Sequence, residues 1–135
     1  MRTKSEIIRE FTDRVLNGGD VEAVGDYFRE DMVEEVPFPG QGPGVNGLKD
    51  VLRGMRSAFP DMHWTIEEQI ESDDKVVSRF TWTGTHRGDF LGVGTTGRRV
   101  NVWGVVIDRF VGDKVKSTRI IMDGLGLMAQ MGALG

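Results

Sequence analysis

Residues 98–122, RRVNVWGVVIDRFVGDKVKSTRIIM, decide the reading of the fold. Dense Val and Ile with Gly112-Asp113 in the middle predict two long strands, Arg98 to Phe110 and Lys114 to Met122, joined by a tight turn. Upstream, Lys75 to His86 reads as a third strand, with Val76, Phe80 and Trp82 on one parity and Arg79, Thr81 and Thr83 on the other. Met62 to Glu71 precedes it across an Asp73-Asp74 turn, and the Gly-rich stretch Gly88 to Gly97 links it to the strand at Arg98. Consecutive strands with short connections imply an antiparallel meander and not alternating βαβ units. The strand at 98–110 is apolar on both parities, with Val100, Val102 and Val106 set against Trp103, Val105 and Ile107. One face is therefore expected to cover helices and a pocket. The other is expected to be covered by a second subunit, as a homodimer.

The preceding sequence has helical spacing. Thr3 and Glu6 stand at capping-box distance ahead of Ile7, Ile8, Phe11, Val15 and Leu16. That helix is expected to stop at Asn17-Gly18-Gly19, with Asp20 capping a short second helix through Val21, Val24 and Phe28. Met32 to Phe38 reads as a short strand and Pro37 to Gly44 as a loop over one mouth of the fold. A third helix opens at Asn46 or Gly47, presents Leu48, Val51, Leu52, Met55 and Phe59, and is ended by Pro60. Leu125 to Leu134 reads as a short C-terminal helix. Together these elements predict an α+β fold: one domain over residues 1–135, a curved antiparallel sheet with N-terminal helices around an apolar pocket.

Composition narrows the function. A length of 135 residues with 39% hydrophobic content supports one real core. The absence of Cys excludes disulfides and thiolate metal sites. A net charge of -4 argues against nucleic-acid binding. No apolar run reaches the roughly 20 residues of a membrane span, and the N-terminus lacks a secretory signal, so a cytoplasmic protein without a membrane partner is expected. Gly-Val-Gly-Thr-Thr-Gly at 92–97 has the spacing of a dinucleotide loop but leads into a strand and not a helix, so it reads as a flexible connection. His63 and His86 lie on different strands without a carboxylate cluster, so neither metal nor cofactor is expected.

The most informative candidate is Asp123, a lone carboxylate between the apolar strand end Ile120-Ile121-Met122 and the apolar run Gly124-Leu125-Gly126-Leu127. Desolvation there would suit it to proton transfer, whereas a helix N-cap is the competing structural role. His86 closes the strand that carries Phe80 and Trp82. It is either a hydrogen-bonding group at one end of the pocket or a strand-end His satisfied by the backbone. Arg119 shares parity with Asp123 but lies about 13 Å along the strand from it, so a cross-strand carboxylate such as Asp108, or a substrate group, is its expected partner. Asn101, Trp82, Trp103 and Phe80 complete the expected ligand-contacting set.

Several segments in order resemble the SnoaL-like ester cyclases: Gly47-Leu48-Lys49 opening a helix that ends Ala58-Phe59-Pro60-Asp61, then Gly84-Thr85-His86-Arg87-Gly88, then Thr96-Gly97-Arg98-Arg99-Val100, and last Asp123-Gly124-Leu125-Gly126-Leu127-Met128 onward to Gly132. The resemblance runs from about residue 5 to the C-terminus. It implies the cone-shaped nuclear-transport-factor-2-like fold and cofactor-independent chemistry on a hydrophobic small molecule. The position of Asp123 would be the acid/base of an intramolecular aldol cyclisation, with His86 lining the same pocket. The chain departs from the pattern at Ser117 and Arg119, where a Glu-x-Trp is common. A guanidinium there would hold a carboxylate or stabilise an enolate. The fold also hosts epoxide hydrolases, dehydratases and non-catalytic binders. An epoxide hydrolase would need Asp108, Arg119 and Asp123 to converge.

Overall fold

The computed structural model describes residues 2–134. Helix α1 spans Lys4–Phe11 and opens with the expected capping box: Thr3 Oγ1 accepts from the Glu6 amide at 3.1 Å, and Glu6 Oε1 from the Thr3 amide at 3.2 Å. The helix buries Ile7, Ile8 and Phe11. It then widens into a π-turn over Thr12–Asn17, where the Thr12 hydroxyl donates to the Ile8 carbonyl at 2.9 Å. Asn17 ends this segment and clamps Trp64, its side chain exchanging hydrogen bonds with the Trp64 amide (2.7 Å) and carbonyl (2.9 Å).

Two expectations here need correction. The second helix is a 3₁₀ segment, Val21–Asp26, and Asp20 makes no side-chain cap. Its carboxylate instead accepts from Arg14 at 3.1 Å. The first strand, β1, is Phe28–Glu34 and not Met32 to Phe38. Phe28, assigned above to a helix, is buried with Met32 in the core, and the chain leaves the sheet before Pro37.

Helix α2 spans Gly44–Ala58, starting two residues earlier than expected after Pro43, and buries Val45, Gly47, Leu52, Met55 and Ala58. The remaining strands follow the sequence closely: β2 His63–Ser72, β3 Lys75–Thr85, β4 Arg99–Val111 and β5 Lys114–Met122. Helix α3 spans Gly124–Gln130.

The strands form one sheet in the order β1-β5-β4-β3-β2. The hairpins β2–β3, β3–β4 and β4–β5 are antiparallel, but β1 joins the edge parallel to β5, which the expected antiparallel meander did not include. Irregularities interrupt the ladders at Ile66/Glu68 and at Arg109/Phe110, and bulges of this kind bend a sheet. The concave face buries Val76, Phe80, Trp82, Val100, Val102 and Phe110 beneath the helices. On the convex face Trp103 and Ile121 remain 54% and 60% exposed.

Candidate functional site

Between the concave face and the helices lies an apolar cavity of about 100 Å³. Its walls include Phe11 and Leu16 from the N-terminal helical segment, Leu52 and Met55 from α2, and Trp64 and Phe80 from the sheet. Phe38 and Gln41, from the loop between β1 and α2, also line it.

Two carboxyl groups line this cavity, Asp108 on β4 and Glu34 at the end of β1. Asp108 is 3% exposed. Burial pushes its carboxyl up to about 7, partly opposed by a hydrogen bond from the Thr118 side chain and reinforced by the charge of Glu34. Burial raises Glu34 as well, while the amides of Val36, Ile120 and Glu35 favour its charged form. The Val36 amide donates to Glu34 Oε2 at 3.2 Å. Ser78, Thr118 and Thr12 add hydroxyls to the lining, and the indole Nε1 of Trp64 is buried without a hydrogen-bond partner. A desolvated acid with a neighbouring hydroxyl in a greasy chamber can hold a proton near neutral pH and pass it to a bound molecule.

Of the residues singled out from the sequence, Phe80 and Asp108 line the cavity and the others fall elsewhere. Asp123 caps α3, its Oδ1 accepting from the Gly126 amide at 2.9 Å. It is not part of the cavity wall. His86 is fully buried beside the core and not in the wall. Its ring stacks on Phe59 at 5.5 Å, Nδ1 lies 2.9 Å from Thr96 Oγ1, and Nε2 has no hydrogen-bond partner among the described residues. Trp82 is also sealed, with Nε1 3.3 Å from the sulfur of Met122 and its ring edge-on to Phe59. Trp103 and Asn101 lie on the convex face. The Asn101 backbone exchanges hydrogen bonds with the Gln130 side chain at 2.6 and 2.9 Å.

Arg119 also lies on the convex side, and its Nε donates to Glu35 at 2.7 Å. Asp108 is therefore not its partner, and the convergent Asp108–Arg119–Asp123 set that an epoxide hydrolase would need does not form: Asp108 faces the cavity, Arg119 the opposite face, and Asp123 a helix terminus. The sequence did hold a signal for Asp108. On β4 it shares parity with Val100, Val102 and Val106, and it is the charged residue of that inward row.

A bent sheet closed by helices over an apolar chamber defines the nuclear-transport-factor-2-like class of α+β rolls. The chain belongs to the SnoaL-like polyketide cyclase family, whose sequence profile matches residues 6–131. Among solved structures it is similar to TsrD from Streptomyces laurentii, with 26% identity and a TM-score of 0.88 over 96% of this chain and 94% of that one. A protein from Acidithiobacillus ferrooxidans, provisionally named a polyketide cyclase, is 28% identical with a TM-score of 0.84, covering 100% and 99% of the two chains. IdmH from Streptomyces antibioticus is 27% identical with a TM-score of 0.83, covering 97% and 99%. No curated protein matches the chain. No cluster of metal-ligating side chains occurs among the described residues, and none of their helices is long and apolar enough to cross a membrane.

Proposed function

We propose that the protein carries out cofactor-independent acid/base chemistry on a hydrophobic small molecule bound in the cavity, with Asp108 as the group that handles the proton. The observation that carries this reading is a single one: a carboxyl buried by the sheet and helices on the wall of a largely apolar chamber. Such a group keeps its proton to about pH 7, so it is available as an acid or, once ionised, as a strong base. Proton movement next to a carbonyl is the step that begins an intramolecular aldol closure, the reaction the family's name suggests. In this reading Asp123 serves α3 as its cap, and His86 packs on Phe59 within the core.

The convex face supports a homodimer, because Trp103 and Ile121 leave an apolar surface in water on that side.

The test needs no knowledge of the natural substrate. Cyclic ketones and β-keto esters are incubated with the protein in D₂O, and loss of the α-proton signal is followed by NMR. The wild type should accelerate exchange over buffer, and Asp108→Asn should bind the same compounds without accelerating it. Equal rates in both proteins would leave a binder and not an enzyme.

A further inference from the structure

Glu34, Thr118 and Asp108 stand in one row across three adjacent strands. Glu34 of β1 is registered with Thr118 of β5, and Thr118 is registered with Asp108 of β4. With neighbouring strands about 4.8 Å apart, the Cα atoms of Glu34 and Asp108 are about 10 Å apart, with a hydroxyl between them. Both side chains line the same chamber. The next position in the row, Val76 on β3, is apolar and fully buried. Thr12 and Ser78, on the helix and on β3, contribute only hydroxyls, so Glu34 and Asp108 are the titratable side chains of the lining among the described residues.

Their surroundings differ. Asp108 is sealed within the chamber. Glu34 is half-buried at the strand end, where the chain turns into the loop carrying Phe38 and Gln41, and it takes a hydrogen bond from the Val36 amide.

We infer that Glu34 is a second catalytic residue working opposite Asp108, and that the pair selects a neutral, enolisable ketone whose reacting part is no larger than about one ring. This rests on the reading of the cavity as an active site. In the forward step Glu34 carboxylate takes the α-proton, so the C–H bond breaks and an O–H bond forms on Glu34. The released electron pair moves through the new C=C bond onto the carbonyl oxygen, which takes up the proton of Asp108. In an unsaturated ketone, return of the Glu34 proton to the far carbon of the dienol completes an isomerisation; in a ring closure the enol carbon attacks a second carbonyl of the same molecule, whose oxygen takes the Glu34 proton as its C=O π bond opens. In either case Asp108 recovers its proton from oxygen, and no co-reactant is consumed.

Three observations support the assignment. The Val36 amide donates to Glu34, whereas the sealed Asp108 carboxyl has only the Thr118 hydroxyl beside it, so the two groups meet a bound molecule from unlike surroundings across one chamber. A ligand that brought its own negative charge would enter a chamber lined by two carboxyl groups and, among the described residues, by no cationic side chain, which excludes carboxylates. The cavity is about 100 Å³ and partly open, so it holds a body of about one ring and anything larger must extend out of it.

The experiment uses cyclohexanone and cyclohexanecarboxylate as probes, with binding read by ligand-observed NMR and α-proton exchange in D₂O. The wild type should bind the ketone and bind the carboxylate at least about tenfold more weakly. Glu34→Gln should bind the ketone within about threefold of wild type while its exchange rate falls about 100-fold, the scale of a lost general base. Glu34→Asp, which keeps the charge but retracts it, should recover part of that loss. Exchange at the wild-type rate in Glu34→Gln, with loss only in Asp108→Asn, would overturn the role of Glu34 and leave Asp108 standing. Bound ketone with no accelerated exchange in the wild type would overturn both assignments. Carboxylate bound as tightly as ketone, or no ketone binding at all, would overturn the ligand class.

Discussion

Replacing Asp108 with Asn should change how stability depends on pH. The folded state holds the Asp108 proton to about pH 7, whereas the ordinary aspartate value is 3.8. Between those values the folded protein binds a proton that the unfolded chain has lost, so stability falls as pH rises. Below about pH 4 both states are protonated, and above about pH 7 both are ionised, so the effect is confined to that window. The interval of about three pH units is worth about 4 kcal/mol, at about 1.4 kcal/mol per unit. Asn does not titrate, and its packing and hydrogen-bonding cost is constant across the window. The wild-type curve also contains other groups. Asp61 and Glu71, held below their usual range mainly by hydrogen bonds from Thr85 and Ser5, act in the opposite direction. The useful quantity is therefore the difference between the two proteins. Urea unfolding at half-unit steps from pH 4 to 8 should show Asp108→Asn gaining about 4 kcal/mol on the wild type across the range. A difference that stays flat within about 1 kcal/mol would refute the claim that Asp108 is desolvated in the folded state.

Three further outcomes follow from particular contacts. Asp123→Ala should lose the cap on α3 and cost about 1 kcal/mol in chemical denaturation, while ligand binding in the cavity persists; abolished exchange activity with intact binding would return the acid/base role to Asp123. Gly104→Ala should cost about 2 kcal/mol by thermal or urea unfolding, because a Cβ there would lie 2.5 Å from both the Ile121 carbonyl oxygen and the Phe80 ring. Trp103→Lys, on the convex face, should shift sedimentation from dimer to monomer without unfolding the chain. A wild-type protein that sediments as a monomer would contradict the dimer outright.

Strands β2 to β5 were legible in the sequence because their apolar runs are long and their turns carry the residues that turns require, Asp73-Asp74 and Gly112-Asp113. The edge strand was not. Phe28 and Met32 are spaced four apart, which fits one face of a helix or of a strand equally, and only the parallel pairing with β5 decides for the strand. The cavity was anticipated as an apolar chamber, but most of the side chains expected to line it do not. Arg119, Trp103 and Asn101 were drawn from strand positions whose parity places them on the convex face. With apolar residues on both parities of β4, inward and outward rows cannot be told apart locally; it takes the helices covering one face to decide. Once that row is fixed, Asp108 stands out as a carboxyl among valines. Glu34 was hidden further, since its place depended on the edge strand that had been misread.

The most direct test of the central claim is the titration of Asp108 itself, followed through its side-chain carboxyl carbon by ¹³C NMR, with Asp108→Asn used to assign the signal. A midpoint of about 7 in the wild type is the predicted result. A midpoint near 4, the range of an exposed aspartate, would mean that the carboxyl is solvated, and the proposed acid/base role of the cavity would then fail.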